Sequence, residues 1–163
     1  MRNAIYTAAI AAALGAGAIG TAQAADLETT GTVSNRCSFG TVTPGVMVVN
    51  ESDFTEIGTE FTGGQRASVP VSYFGTPTVT IETPAGFETS PDLTDAGAVG
   101  INHIPVIATA EAPFDGTQVS GAQTLQHQFL TGSSDTIQVG LTASAENNLP
   151  VGNYSHITTV TCL

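Results

Sequence analysis

The chain has 163 residues, with 14 acidic side chains against 3 arginines and no lysine. A surface this acidic repels phosphate backbones and anionic lipid headgroups, which argues against nucleic-acid partners and acidic membrane surfaces. The acidic residues are spread singly along the chain, a pattern typical of a solvated protein surface.

The first 24 residues have the pattern of a secretory signal peptide. Met1–Asn3 carries one arginine, Ile5–Ile19 is apolar and alanine-rich, and Ala22–Ala24 is a small-residue cleavage site. The apolar run is too short for a membrane anchor and lacks basic residues on its far side. We therefore expect export, no transmembrane segment after cleavage, and one mature domain over residues 25–163 with a net charge of −12, from two arginines and fourteen acids.

Strand patterns recur in the mature chain, separated by Gly, Pro, Asn and Asp, whereas helical periodicity is absent. In chain order, the predicted strands are Leu27–Ser34, Cys37–Val49 with an interruption at Pro44-Gly45, Ala67–Phe74, Pro77–Thr83, Asn102–Ala110, Thr124–Leu130, Asp135–Ser144 and Tyr154–Cys162. Pro70 indicates an edge strand or a bulge, and residues 51–66 and 84–100 are predicted to be long loops. About seven or eight strands at this spacing predict an all-β sandwich or barrel.

Cys37 and Cys162 are the two cysteines of the chain. Because an exported protein meets an oxidising compartment, we expect them to form a disulfide. Two free buried thiols are the alternative, while zinc binding is disfavoured because two cysteines without a nearby histidine do not fill a tetrahedral site.

No catalytic or metal motif is present in the sequence. The chain has no Gly-x-Ser-x-Gly, no His-Glu-x-x-His and no phosphate-binding glycine loop, so we expect a protein that is not an enzyme and uses no cofactor. His103, His127 and His156 fall on three different predicted strands, and the sequence does not place them together. Asp92 and Asp95 could offer carboxylates to calcium, but the spacing of a full calcium loop is absent, so we expect no metal site.

Both ends of the mature chain resemble a known family. Residues 31–40, GTVSNRCSFG, are similar to the opening of secreted bacterial fimbrial subunits, in which a strand leads into a cysteine. Residues 149–155, LPVGNYS, followed by alternation to the terminus, resemble the ending of spore coat protein U-like domains. The resemblance covers about 25 of the 139 mature residues of the 163-residue chain.

The resemblance implies an immunoglobulin-like sandwich that lacks its final strand and is assembled by β-strand addition. A periplasmic pilus-type chaperone, with an outer-membrane usher, would first fill the groove beside the last strand, and other surface subunits would fill it later. The edge for the partner strand would be formed by Tyr154, His156, Thr158, Val160, Cys162 and Leu163. The expected function is a structural or adhesive protein of the cell surface.

The sequence departs from this family at two places. Only Ala25 and Asp26 precede the first predicted strand, so a long donor segment is not expected, and the region around Val69–Tyr73 lacks the family's usual mid-chain cysteine. A terminal subunit, a secreted surface protein and a self-complete sandwich all remain compatible with these departures. The alternative function is a stand-alone module that binds a carbohydrate or other ligand, for which Phe54, Phe61 and Phe87 are the candidate exposed aromatics.

Overall fold

Antiparallel strands account for nearly all regular structure of the protein. The structure, a computed structural model, describes residues 35–108, 110–130 and 134–163. The predicted signal peptide and the predicted strand Leu27–Ser34 lie outside these residues. In the described part of the chain, helical structure is limited to one 3-10 turn at Thr94–Ala96, and no helix has the length and apolar character needed to span a bilayer.

Ten strands are described, and they form two sheets. They are β1 (Arg36–Phe39), β2 (Val48–Asn50), β3 (Asp53–Gly58), β4 (Ala67–Phe74), β5 (Thr78–Thr83), β6 (Val99–Ile107), β7 (Val119–Ser120), β8 (Gln123–Gln128), β9 (Ser134–Ala145) and β10 (Thr159–Cys162). The larger sheet contains β1, β2, β3, β4, β6, β7 and β9, and the smaller sheet has the order β10-β5-β8.

The long strand β9 organises the larger sheet. One edge of β9 pairs with β6 from Ile137 to Ala145, while the other edge pairs first with β4 and then with β3. Strands β3 and β4 therefore run in line along the same edge, interrupted by the segment 59–66. On the far side of β4, β1 adds an outer strand.

The core lies between the two sheets, as the prediction of an all-β sandwich requires. Alternate residues of β4 and β5 face inward, so that Val71, Val79 and Ile81 have no exposed surface. Tyr73 stacks on Phe129 with ring centroids 4.1 Å apart. A second apolar cluster, centred on Ile57, Ile101, Leu141 and Ala143, continues the core toward the other end of β9.

Two local predictions were wrong. Residues 51–66 are not one long loop, because β3 occupies Asp53–Gly58 and buries Ile57 against β9. Strand β4 is not an edge strand, because it lies between β1 and β9. Pro70 is tolerated there because its missing N–H faces Gly40, just after β1 ends at Phe39, while its carbonyl still accepts a hydrogen bond from the Gly40 N–H.

An ion pair links the two ends of the segment 59–66. The guanidinium of Arg66 donates two hydrogen bonds to the Glu60 carboxylate, at 2.7 and 2.6 Å. Gly140 of β9 lies beneath this pair, and a Cβ atom there would collide with Glu60. The hydrogen bonds from Arg66 lower the pKa of Glu60, and burial partly opposes this shift.

This pKa shift predicts a contribution to acid stability. Because the pKa of Glu60 is lower in the folded chain than its ordinary value of 4.5, the stabilisation is complete above that value and is lost as the pH falls through the folded pKa. We expect Glu60→Gln to lower the free energy of unfolding at pH 7 by less than about 1 kcal/mol, since the pair is partly solvated. Urea unfolding from pH 7 to pH 3 should show this difference shrinking as the pH falls, and Arg66→Gln should behave alike. A difference that is the same at every pH would contradict the assignment.

A disulfide joins the outer strand of each sheet. Cys37 of β1 and Cys162 of β10 are bonded, with their Cα atoms 6.3 Å apart, so the expected cysteine pairing is confirmed. Cys37 pairs across the larger sheet with Tyr73, and Cys162 pairs across the smaller sheet with Val79. The bond therefore connects the two layers of the sandwich and encloses a separation of 125 residues.

Removal of this bond is expected to destabilise the chain strongly. For a loop of this length, the chain-entropy model gives a loss of about 4–5 kcal/mol in the free energy of unfolding for the double variant Cys37→Ser, Cys162→Ser. Urea unfolding without reductant measures the loss, and the wild-type protein treated with dithiothreitol should unfold like the variant. Equal unfolding midpoints for the variant and the oxidised wild type would show that the bond does not constrain the chain.

Candidate functional site: a groove between the sheets

An open groove of about 710 Å³ separates one edge of the larger sheet from the C-terminal segment. One wall is formed within residues 39–47, the opposite wall within residues 152–160, and the floor comes mainly from Ile137, Val139 and Leu141 of β9. The first wall exposes apolar side chains to solvent, since Phe39 is 41% exposed and Val42 is 63% exposed. On the opposite wall, Ile157 is 58% exposed.

The disulfide lies next to one end of this groove. Phe39 on one wall is two residues beyond Cys37, and Val160 on the other wall is two residues before Cys162. The bond therefore holds the two walls together at that end.

The backbone of β10 has one unpaired edge beside the groove. Leu163 and Thr78 exchange both backbone hydrogen bonds, at 3.0 and 2.8 Å, which sets the alternation along the strand. The backbone groups of Thr159 and Thr161 therefore face β5, and those of Val160 and Cys162 face away from it. No strand among the described residues pairs with this second edge.

The predicted edge residues lie along the groove in an alternating pattern. Tyr154, His156, Thr158, Val160 and Cys162 are half-buried, whereas the residues between them are exposed. The regular strand is shorter than predicted, because only Thr159–Cys162 belongs to β10. Ser155 instead forms an isolated bridge with Thr89. Leu163 extends past the groove with 90% of its surface exposed, while its backbone pairs with Thr78.

Phe87 supports the groove wall from behind. Its ring meets Tyr154 edge-on, with centroids 5.1 Å apart, and His156 at right angles, with centroids 6.5 Å apart. The hydroxyl of Tyr154 donates a 2.7 Å hydrogen bond to the carbonyl of Pro150, which fixes the turn before the wall. Burial raises the pKa of this hydroxyl. Phe87 therefore serves packing, and neither it nor Phe54 nor Phe61 lines the groove.

Two of the three histidines meet at this wall, which the sequence did not predict. His103 on β6 is fully buried, and its Nε2 atom lies 2.9 Å from Nε2 of His156. The Nδ1 atom of His156 lies 3.0 Å from the Gly86 carbonyl, which can only accept, so this nitrogen carries the proton. His103 then donates from Nε2, and its own buried Nδ1 has no hydrogen-bond partner.

Both imidazoles are neutral at pH 7. Burial lowers the pKa of His103 to about 4, with a smaller repulsive contribution from His156, and the backbone of Val119 opposes the shift. Burial also lowers the pKa of His156, against the effect of the Gly86 carbonyl. His127 is separate from this pair, since its ring packs against Phe114 and Phe129.

Other polar residues considered in the sequence have local roles. The carboxylate of Asp92 accepts hydrogen bonds from the backbone and the hydroxyl of Thr94, at 3.0 and 2.6 Å. These bonds lower the pKa of Asp92 and close a local turn. Within the three described ranges, no group of three or more His, Cys, Asp or Glu side chains is arranged to hold a metal ion.

Comparison with known proteins identifies no relative of this chain. No family model, no curated protein and no solved structure matches it.

The packing role of Phe87 leads to a stability prediction. We expect Phe87→Ala to lower the free energy of unfolding by about 2 kcal/mol, because it removes ring contacts with Tyr154 and His156 at a half-buried site. The matched control is Phe54→Ala, which removes a ring that is 60% exposed and should change stability by less than about 0.5 kcal/mol. Thermal or urea unfolding distinguishes them, and equal stabilities would show that Phe87 does not support the wall.

Proposed function

We propose that the protein is an exported bacterial surface subunit of the pilus or coat type, whose groove is filled by an extended strand from a partner. The observation that carries this proposal is an apolar groove running beside an unpaired strand edge. The first partner would be a periplasmic pilus-type chaperone, with an outer-membrane usher and other surface subunits acting later. The proposed location is the periplasm in transit and then the cell surface.

The chemistry of the groove suits an added strand. An incoming strand would find backbone donors and acceptors at Val160 and Cys162, while its alternate side chains would contact the apolar floor of β9. Exposed apolar surface next to an open sheet edge promotes aggregation unless it is covered. A covering strand would therefore protect the protein during export.

The alternative of a stand-alone ligand-binding module has less support from the side chains. Ligand sites of this kind rely on exposed aromatic rings, and the three candidate phenylalanines do not line the groove. Phe87 is already packed against Tyr154. Cationic side chains add little support either. The chain has no lysine, and Arg66 is already paired with Glu60 in the 59–66 segment.

Amide hydrogen exchange tests the proposal directly. We expect the N–H groups of Val160 and Cys162 to exchange quickly in the isolated mature protein, because they face the unpaired edge. After co-expression with the pilus-type chaperone of the same bacterium, these two amides should become protected. The amides of Thr161 and Leu163 face β5 and serve as internal references in the same spectrum.

A pair of matched variants separates the groove from the general surface. Val42→Asp places a charge on the groove wall and should weaken chaperone binding by at least about tenfold, because an apolar contact is replaced by a buried charge. Val151→Asp makes the same change at a fully exposed valine outside the groove and should bind like the wild type. If the mature protein stays monomeric, and chaperone protects neither edge amide, the proposal is wrong.

A further inference from the structure

The histidine pair on the groove wall has the character of a metal site. We propose that His103 and His156 bind one divalent transition-metal ion, with copper(II) held most tightly, through their two Nε2 atoms. This inference does not depend on the proposed function, because it rests on the side chains of the wall alone. The sequence analysis expected no metal site, since nothing in the spacing of these residues brings them together.

The separation of the two nitrogens fits neighbouring ligands of one ion. The Nε2 atoms are 2.9 Å apart. Two nitrogens at right angles on a tetragonal copper ion, each about 2.0 Å from the metal, are about 2.8 Å apart. A tetrahedral zinc ion needs about 3.3 Å between its ligands and would require His156 to move outward. The observed spacing therefore favours tetragonal coordination.

The other ring nitrogens are placed to support coordination. The Nδ1 atom of His156 donates to the Gly86 carbonyl, a partner that orients the ring and leaves Nε2 free to bind a metal. The buried Nδ1 of His103 makes no hydrogen bond of normal length and can take the proton that its Nε2 gives up. Val119 pairs with His103 across β6 and β7, and its backbone favours a proton on that ring. Each histidine can therefore bind the metal through Nε2 as a neutral imidazole, because its one ring proton then lies on Nδ1.

The groove reaches the histidine pair from the side of His156. His156 lines the groove and is half-buried, while His103 lies behind it with no exposed surface. Two protein ligands leave the other positions for water or for a donor atom of a strand bound in the groove.

The chemistry of the site selects among metals. Imidazole nitrogens suit copper, nickel and zinc, whereas magnesium and calcium prefer oxygen ligands. Affinity for a given nitrogen site normally peaks at copper(II) among the divalent ions of the first transition row. The net negative charge of the mature chain adds a general attraction for cations without selecting one.

Copper binding to the purified mature protein tests this inference. We expect one equivalent of Cu²⁺ whose electron paramagnetic resonance spectrum shows coupling to two imidazole nitrogens, together with a higher unfolding temperature. His156→Gln should weaken binding at least about tenfold, because it removes one of the two ligands. His127→Gln is the matched control, since His127 packs elsewhere against Phe114 and Phe129, and it should bind like the wild type.

A second measurement needs no variant. In the NMR spectrum of the wild type, substoichiometric Cu²⁺ should broaden the imidazole signals of His103 and His156 before those of His127. Equal broadening of all three histidines, or copper affinity that is unchanged in a folded His156→Gln protein, would overturn the proposal. Failure here leaves the strand-addition experiment unaffected, because that experiment follows the amides of β10.

Discussion

The bond between Cys37 and Cys162 connects two strands that each pair on one edge alone within the described residues. Strand β1 ends the larger sheet and β10 ends the smaller one, so the disulfide holds the sandwich together where no hydrogen-bonded ladder does. Between these strands the sheets part into the groove, whose β9 floor contains the half-buried Val139. The wall positions depend on this link, because β5 is the one strand that pairs with β10 in the part of the chain that the structure describes.

The C-terminal segment is built from two short pairings and not from one continuous strand. Ser155 pairs with Thr89, and β10 pairs with β5 only from Thr159 onward. Between these pairings, the side chain of His156 contacts both the Gly86 carbonyl and His103. Side-chain contacts thus replace the missing ladder bonds and attach the wall to the larger sheet.

The sequence pattern predicted strand bounds well where buried and exposed residues alternate regularly. The bounds predicted for β4, Ala67–Phe74, match the structure because Val69, Val71 and Tyr73 are buried and alternate with exposed residues. Strand β3 was missed because DFTEIG mixes apolar and acidic residues, and its burial comes from β9, which is far away in the chain. The position of Pro70 was misjudged because the end of β1, and not the edge of the sheet, accommodates it.

The sequence by itself determined the all-β class, the alternation of the wall residues from Tyr154 to Cys162 and, through the cysteine count, the disulfide pairing. The first two features follow from short-range periodicity, and the third follows because two cysteines allow only one pairing. Only the tertiary structure decided that the sheets part into an open groove and that His103 meets His156. Both depend on long-range packing that no local pattern encodes: His103 and His156 are 53 positions apart, and the bonded cysteines beside the groove are 125 apart.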